Sequence, residues 1–249
     1  MLIIQIFRNF QRRLIGLIEW VGKILYEAVN AMRSKSYGES MTGNFDLLKA
    51  ELEAFRGLST LAGAHGFFGQ EVLRFYSIAG TLLAFEGFKL DERSNVDERY
   101  TTHILSRSLL ENYFWIIYLF DDLSLTTIRY EELKNSFKRD YHKLLNEPHL
   151  PRKSELEPAN LTWAKLPRGL DINSMLAQIK NVHGDRLNYL YFVYRIASFD
   201  THGKSLGTIL EAVFGKPCSF PMLKIQYAFE LISQQYLTVL RELRRNGVV

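Results

Sequence analysis

The stretch Tyr100-Thr-Thr-His103-Ile-Leu-Ser-Arg107-Ser-Leu-Leu-Glu111-Asn-Tyr-Phe-Trp-Ile-Ile-Tyr-Leu119 contains no proline or glycine and becomes apolar around most of its circumference toward its end. A helix that is apolar all round is one that other elements surround, so this segment is read as a central helix. On that background His103, Arg107 and Glu111 recur every fourth residue. Each step of four drifts by about 40°, so the three form a nearly continuous polar stripe. Charges on a face that favours burial need partners. Two arrangements supply them: an ion pair of Arg107 with Glu111 that bridges helices and fixes their register, or a polar cleft shared with a second helix.

Working outward, helical periodicity is read at 45–62, 68–89, 96–121 and 126–146, with Ser94 and Asp97 spaced as a capping pair before the third. Asn44 is a plausible cap for the first. Gly63, Gly66 and Gly69 are read as a tight turn between helices, and Asp121 and Asp122 as caps of the following helix, with cation binding the alternative. Arg139, Asp140 and His142 are expected to face water. Pro148, Pro151, Pro158 and Pro167 make 147–170 a long loop. Helices resume at 172–183, 185–200, 204–214 and 221–245, the last closed by Arg244, Arg245, Asn246 and Gly247. Alternating strand patterns and hairpin turns are missing, so the fold class is all-α, a helical bundle.

Ahead of this body, residues 1–36 form an amphipathic basic helix, with apolar positions from Ile3 to Met32 at spacings of three and four. Residues 34–43 read as a linker, and the bundle domain occupies 37–249. Arg8, Arg12 and Arg13 interrupt the apolar run, which argues against a secretory signal or a membrane span. The helix has three open roles: docking on the body, binding a partner protein, or lying on a membrane surface. Residues 1–36 also hold a net charge of +4, which equals the formal charge of the whole chain. The body is therefore balanced, and it offers no broad basic face for duplex nucleic acid. Cys218 is the only cysteine, which fits a reducing cytoplasm and excludes an internal disulfide.

The second chemical signal is Tyr194-Arg195-Ile-Ala-Ser198-Phe-Asp200-Thr-His202-Gly203. Seven residues of helix turn through about 700° and rise about 10 Å, so Arg195 and His202 leave one face and their head groups can converge. A permanent cation and a side chain that exchanges a proton near neutral pH are what cleavage of an RNA phosphodiester without metal requires. In the cleft arrangement the stripe faces this helix, Glu111 orients His202, and Arg107 adds positive charge for a phosphate.

A helix carrying Arg107-Ser-Leu-Leu-Glu111, followed by Arg195 and His202 with six residues between them, resembles the HEPN superfamily and related prokaryotic helical domains over about 95–245. That family's pattern is an arginine and a histidine separated by four to six residues. The resemblance implies a HEPN-like bundle and either RNA binding or metal-independent RNA cleavage, frequently in toxin and antiviral defence, with two protomers bringing their motifs together. It implies catalytic roles for Arg195 and His202, supported by Arg107 and Glu111, and substrate contacts from His103, Ser198 and Asp200. Neither cofactor nor metal is expected. Ile196 follows Arg195 where catalytic members often carry a polar residue. The alternative is a non-catalytic interaction module that binds a partner protein through its N-terminal helix.

Zinc-protease, nucleophile-elbow, P-loop and dinucleotide fingerprints are all missing from the sequence.

Overall fold

In the computed structural model, α4 (Val96–Phe120) occupies the centre, and between Leu109 and Phe120 each of its apolar side chains except Trp115 is buried. The residues described are 43–84, 90, 94–180, 185–202, 206–215 and 223–249. The expected N-terminal helix and Cys218 lie outside them. The other described helices are α1 (Asn44–Ala50), α2 (Leu52–Ser59), α3 (Gly63–Ala84), α5 (Thr126–Leu145), α6 (Ile172–Leu176), α7 (Asp185–Thr201), α8 (Leu206–Phe214) and α9 (Ile225–Arg245). The fold is all-α, with no strand among the described residues. No described helix is long and apolar enough to cross a membrane.

α4 begins one residue later than its expected cap. Asn95, not Ser94, accepts the Glu98 amide at 2.9 Å, and the Glu98 carboxylate accepts the Asn95 amide at 2.7 Å, a reciprocal capping box. The single helix expected over 45–62 is two, parted at Glu51, whose carboxylate is gripped by both terminal nitrogens of Arg244 at 2.8 and 2.7 Å. At the start of α1, the amides of Asn44 and Phe45 donate to Glu230 of α9 at 3.0 and 3.3 Å. That carboxylate, rather than the Asn44 side chain, satisfies the helix end.

The glycines around His65 belong to α3, not to a turn before it. A Cβ on Gly66 would lie 1.8 Å from the Leu61 carbonyl oxygen, and one on Gly69 would lie 2.5 Å from the Ser59 nitrogen. Without side chains at these positions, α3 folds back directly on the backbone of α2. Beyond the corner, Phe68 and Phe75 meet Phe229 and Tyr236 of α9 edge to face, at centroid separations of 5.4 to 5.9 Å. This aromatic layer is the middle of the core.

Asp121 and Asp122 do not cap α5, whose N-cap position is Leu125, with no side-chain cap. Instead Asp122 accepts the Ser124 amide at 3.0 Å and the Lys180 ammonium at 2.8 Å, and Asp121 accepts the Lys180 amide at 3.0 Å. The helix expected over 172–183 ends at Leu176, where the Gln178 amide turns to the Met175 carbonyl at 3.0 Å; 181–183 lie outside the described residues. The proline-rich loop packs on α5 through Trp163 against Tyr141 and through Arg139, which donates to the Leu166 carbonyl at 3.2 Å. Arg139 is thus engaged rather than solvated; Asp140 is exposed and His142 half-buried.

Candidate functional site: a polar seam and a cleft

α7 runs antiparallel to α4, and the stripe on α4 meets it in register. His103 Nδ1 lies 2.6 Å from Asp200 Oδ2. One turn along, Arg107 Nε donates to Ser198 Oγ at 3.1 Å, and Ser198 donates in turn to the Tyr194 carbonyl at 2.7 Å. Arg107 also pairs with Glu111 at 2.9 Å and stands over the Tyr194 ring, 5.3 Å from its centroid. Tyr194 OH reaches Glu111 at 3.5 Å. Burial, then the nearby Glu111 carboxylate, raises the Tyr194 hydroxyl above its ordinary pKa.

The seam corrects several expectations. The Arg107–Glu111 pair is made within α4 and does not bridge helices; the bridge is Arg107 to Ser198. Glu111 is level with Tyr194, eight residues and about 12 Å of helix away from His202, too far to orient it. His103 and Asp200 are only 3% and 1% exposed, so they hold each other and present no surface to a substrate. Arg107, with 16% of its side chain exposed, is occupied by Ser198, Glu111 and Tyr194. Ser198 alone among the expected substrate contacts reaches the cleft.

The outer face of α7 behaves as the seven-residue spacing predicts. Arg195 and His202 are both exposed and line one cleft of about 320 Å³. No carboxylate pairs with Arg195 among the described residues. Ile196 is buried, as are Val193, Ala197 and Asp200 on the inner face. Its apolar character therefore belongs to the core and not to the cleft.

Cleft residues that the sequence reading did not name as site residues are Asp171, Ile172, Asn173, Tyr191, Tyr194 and Phe199, and three of them, Tyr191, Asp171 and Asn173, bring polar groups from outside the seam. Asp171 caps α6 by accepting the Ser174 amide at 2.8 Å. The Ser174 amide and hydroxyl hold its carboxyl below the usual range, so it is ionised at neutral pH. Tyr191 donates to the Asn173 side-chain oxygen. The signals were available: Tyr191 is one turn before Arg195, and Asp-Ile-Asn-Ser is a cap sequence at the end of the proline-rich loop.

A cleft with a guanidinium, an imidazole, tyrosine rings and a carboxylate can bind an anion at one place, stack a planar group beside it, and move a proton. Compared with known proteins, the chain matches no family model, no curated protein and no solved structure.

Proposed function

We propose that this chain is a HEPN-like RNA-binding protein that cleaves RNA without metal, as a toxin or antiviral defence effector acting in the cytoplasm as a homodimer. The observation that carries the reading is the joint exposure of Arg195 and His202 in one cleft, while His103, Arg107, Glu111 and Asp200 hold α7 from behind. The 2′-hydroxyl oxygen of a ribose attacks the adjacent phosphorus, an O2′–P bond forms, and the bond from phosphorus to the 5′-oxygen of the next nucleotide breaks. The products are a 2′,3′-cyclic phosphate and a 5′-hydroxyl. His202 handles the proton that leaves O2′ and arrives on the 5′-oxygen, and Arg195 stabilises the charge on the phosphoryl oxygens.

The test uses the purified full chain, cellular RNA and a chelator. His202→Ala should lower cleavage by about a hundredfold or more. Arg195→Lys keeps the charge and loses the planar fork, so it should also lower the rate. Cleavage by His202→Ala equal to the parent removes His202 from the chemistry. An inactive parent leaves the interaction module, for which the exposed Ile209, Val213 and Phe214 of α8 would offer a contact.

A further inference from the structure

Two opposite charges face the same cleft without neutralising each other. Arg195 stands on α7, Asp171 stands at the start of α6, and no ion pair joins them among the described residues. A ligand that is anionic at one end and rich in N–H donors at the other satisfies both. Between these ends lies Tyr191, one turn or about 6 Å along α7 from Arg195. That is close to the separation of a phosphate from the base of the same nucleotide. Asn173 accepts the Tyr191 hydroxyl on its side-chain oxygen, so its side-chain nitrogen remains a donor in the same cleft as Asp171. The Ser174 amide and hydroxyl and the Asn173 backbone amide take about three of the roughly four lone-pair sites of the Asp171 carboxylate, which leaves one for a ligand.

We infer that the cleft takes one unpaired adenine or cytosine nucleotide, the base lying on Tyr191 with its amino edge at Asp171 and its phosphate between Arg195 and His202. This rests on the RNA reading above and adds to it a base preference with Asp171 as its determinant. An adenine or cytosine presents an amino donor next to a ring-nitrogen acceptor, matching Asp171 and the Asn173 side-chain nitrogen. Uracil places its one imide N–H between two carbonyl oxygens, both of which repel a carboxylate. The base must be unpaired, since pairing would occupy the edge that Asp171 reads. The balanced charge of residues 37–249 is consistent with this, because a duplex would need a wider basic face.

The test measures fluorescence anisotropy of the full chain with labelled single-stranded 2′-O-methyl oligonucleotides of cytosine, adenine or uracil, which cannot be cleaved. The parent should bind the cytosine and adenine oligomers about tenfold tighter than uracil, the value of a charge-assisted hydrogen bond. Asp171→Asn should erase that preference while preserving the fold, because asparagine caps a helix as well as aspartate does. Tyr191→Ala should weaken all three oligomers alike. Equal affinities in the parent, or a preference that survives Asp171→Asn, would overturn the assignment. If cleavage depends on His202 while the bases bind equally, recognition fails and the catalytic reading stands. If the preference holds while His202→Ala cleaves like the parent, the catalytic reading fails and recognition stands. Failure to bind any oligomer overturns both.

Discussion

The two most extensive helix contacts among the described residues, α2 against α3 and α4 against α7, are built in opposite ways. At the first, side chains are removed: Gly66 and Gly69 let one helix lie on the backbone of the other, and Phe55 and Phe68 fill the space alongside. At the second, polar side chains remain and pair across the interface: His103 with Asp200, and Arg107 with Ser198. The first contact is non-directional and depends on volume. The second is directional, so it fixes which residue of α7 stands opposite which residue of α4. That register in turn decides which side chains of α7 face outward, and they are the ones that line the cleft.

The largest expected effect tests the volume-limited contact. Gly66→Ala places a Cβ 1.8 Å from a backbone carbonyl that no side-chain rotation can move. Destabilisation of about 4 kcal/mol, beyond the usual range for overpacking, should appear as a lowered denaturant midpoint. An unchanged midpoint would mean that the corner is loose. On the other side of the comparison, Asp200→Ala strands His103 in a buried position and should cost about 3 kcal/mol by the same measurement. A loss below about 0.5 kcal/mol would show that the seam is aligned by packing rather than by pairing.

The difference between the two contacts also explains what could be read from the sequence. Apolar periodicity is a local property, so α4, α5 and α7 are found within one residue of their observed ends. The close approach of α2 and α3 is a property of backbones, and Gly66 and Gly69 read equally well as a turn until the helices are placed. Asp200 was legible in part, because Leu190, Val193 and Ala197 precede it at helical spacings and carry it onto the buried face. Its partner was not. His103 is 97 residues away, and identifying it requires the antiparallel register of α4 and α7, which no short-range pattern encodes. Glu111 is paired with His202 for the same reason, in the alternative that sets the stripe across a polar cleft from the helix of Arg195; the stripe meets that helix in a closed seam instead.

Two smaller effects concern buried side chains of α3 and α9, Glu71 and Tyr236. The hydroxyl of Tyr236 is buried in the aromatic layer with no hydrogen-bond partner among the described residues. Tyr236→Phe should therefore raise stability by about 1 kcal/mol, since it removes a desolvated group and leaves no donor behind. Burial raises the Glu71 carboxyl above its ordinary value of 4.5, although Arg74 opposes this. Between 4.5 and that raised value the folded chain holds a proton that the unfolded chain has released. Stability from this group therefore falls as pH rises through the window. Glu71→Gln should flatten that part of a plot of Tm against pH, and a slope unchanged from the parent would show that Glu71 is effectively solvated.

The smallest expected change in stability is at the residues that line the cleft. Arg195 and His202 stand on the outer face of α7, while Val193, Ile196, Ala197 and Asp200 on its inner face hold the helix in place. His202→Ala shortens an exposed side chain that makes no hydrogen bond or ion pair among the described residues, so its stability should match the parent's to within about 0.5 kcal/mol. Asp200→Ala, two residues earlier on the same helix, should differ from it severalfold in stability. Measured together, the two variants separate the residues that support the site from those offered to a ligand. A His202→Ala protein that unfolds as readily as Asp200→Ala would make His202 a structural residue of the helix end, and the cleft would lose its proton-transferring group. A His202→Ala protein that keeps its stability and loses RNA cleavage would place the histidine's role in the chemistry alone.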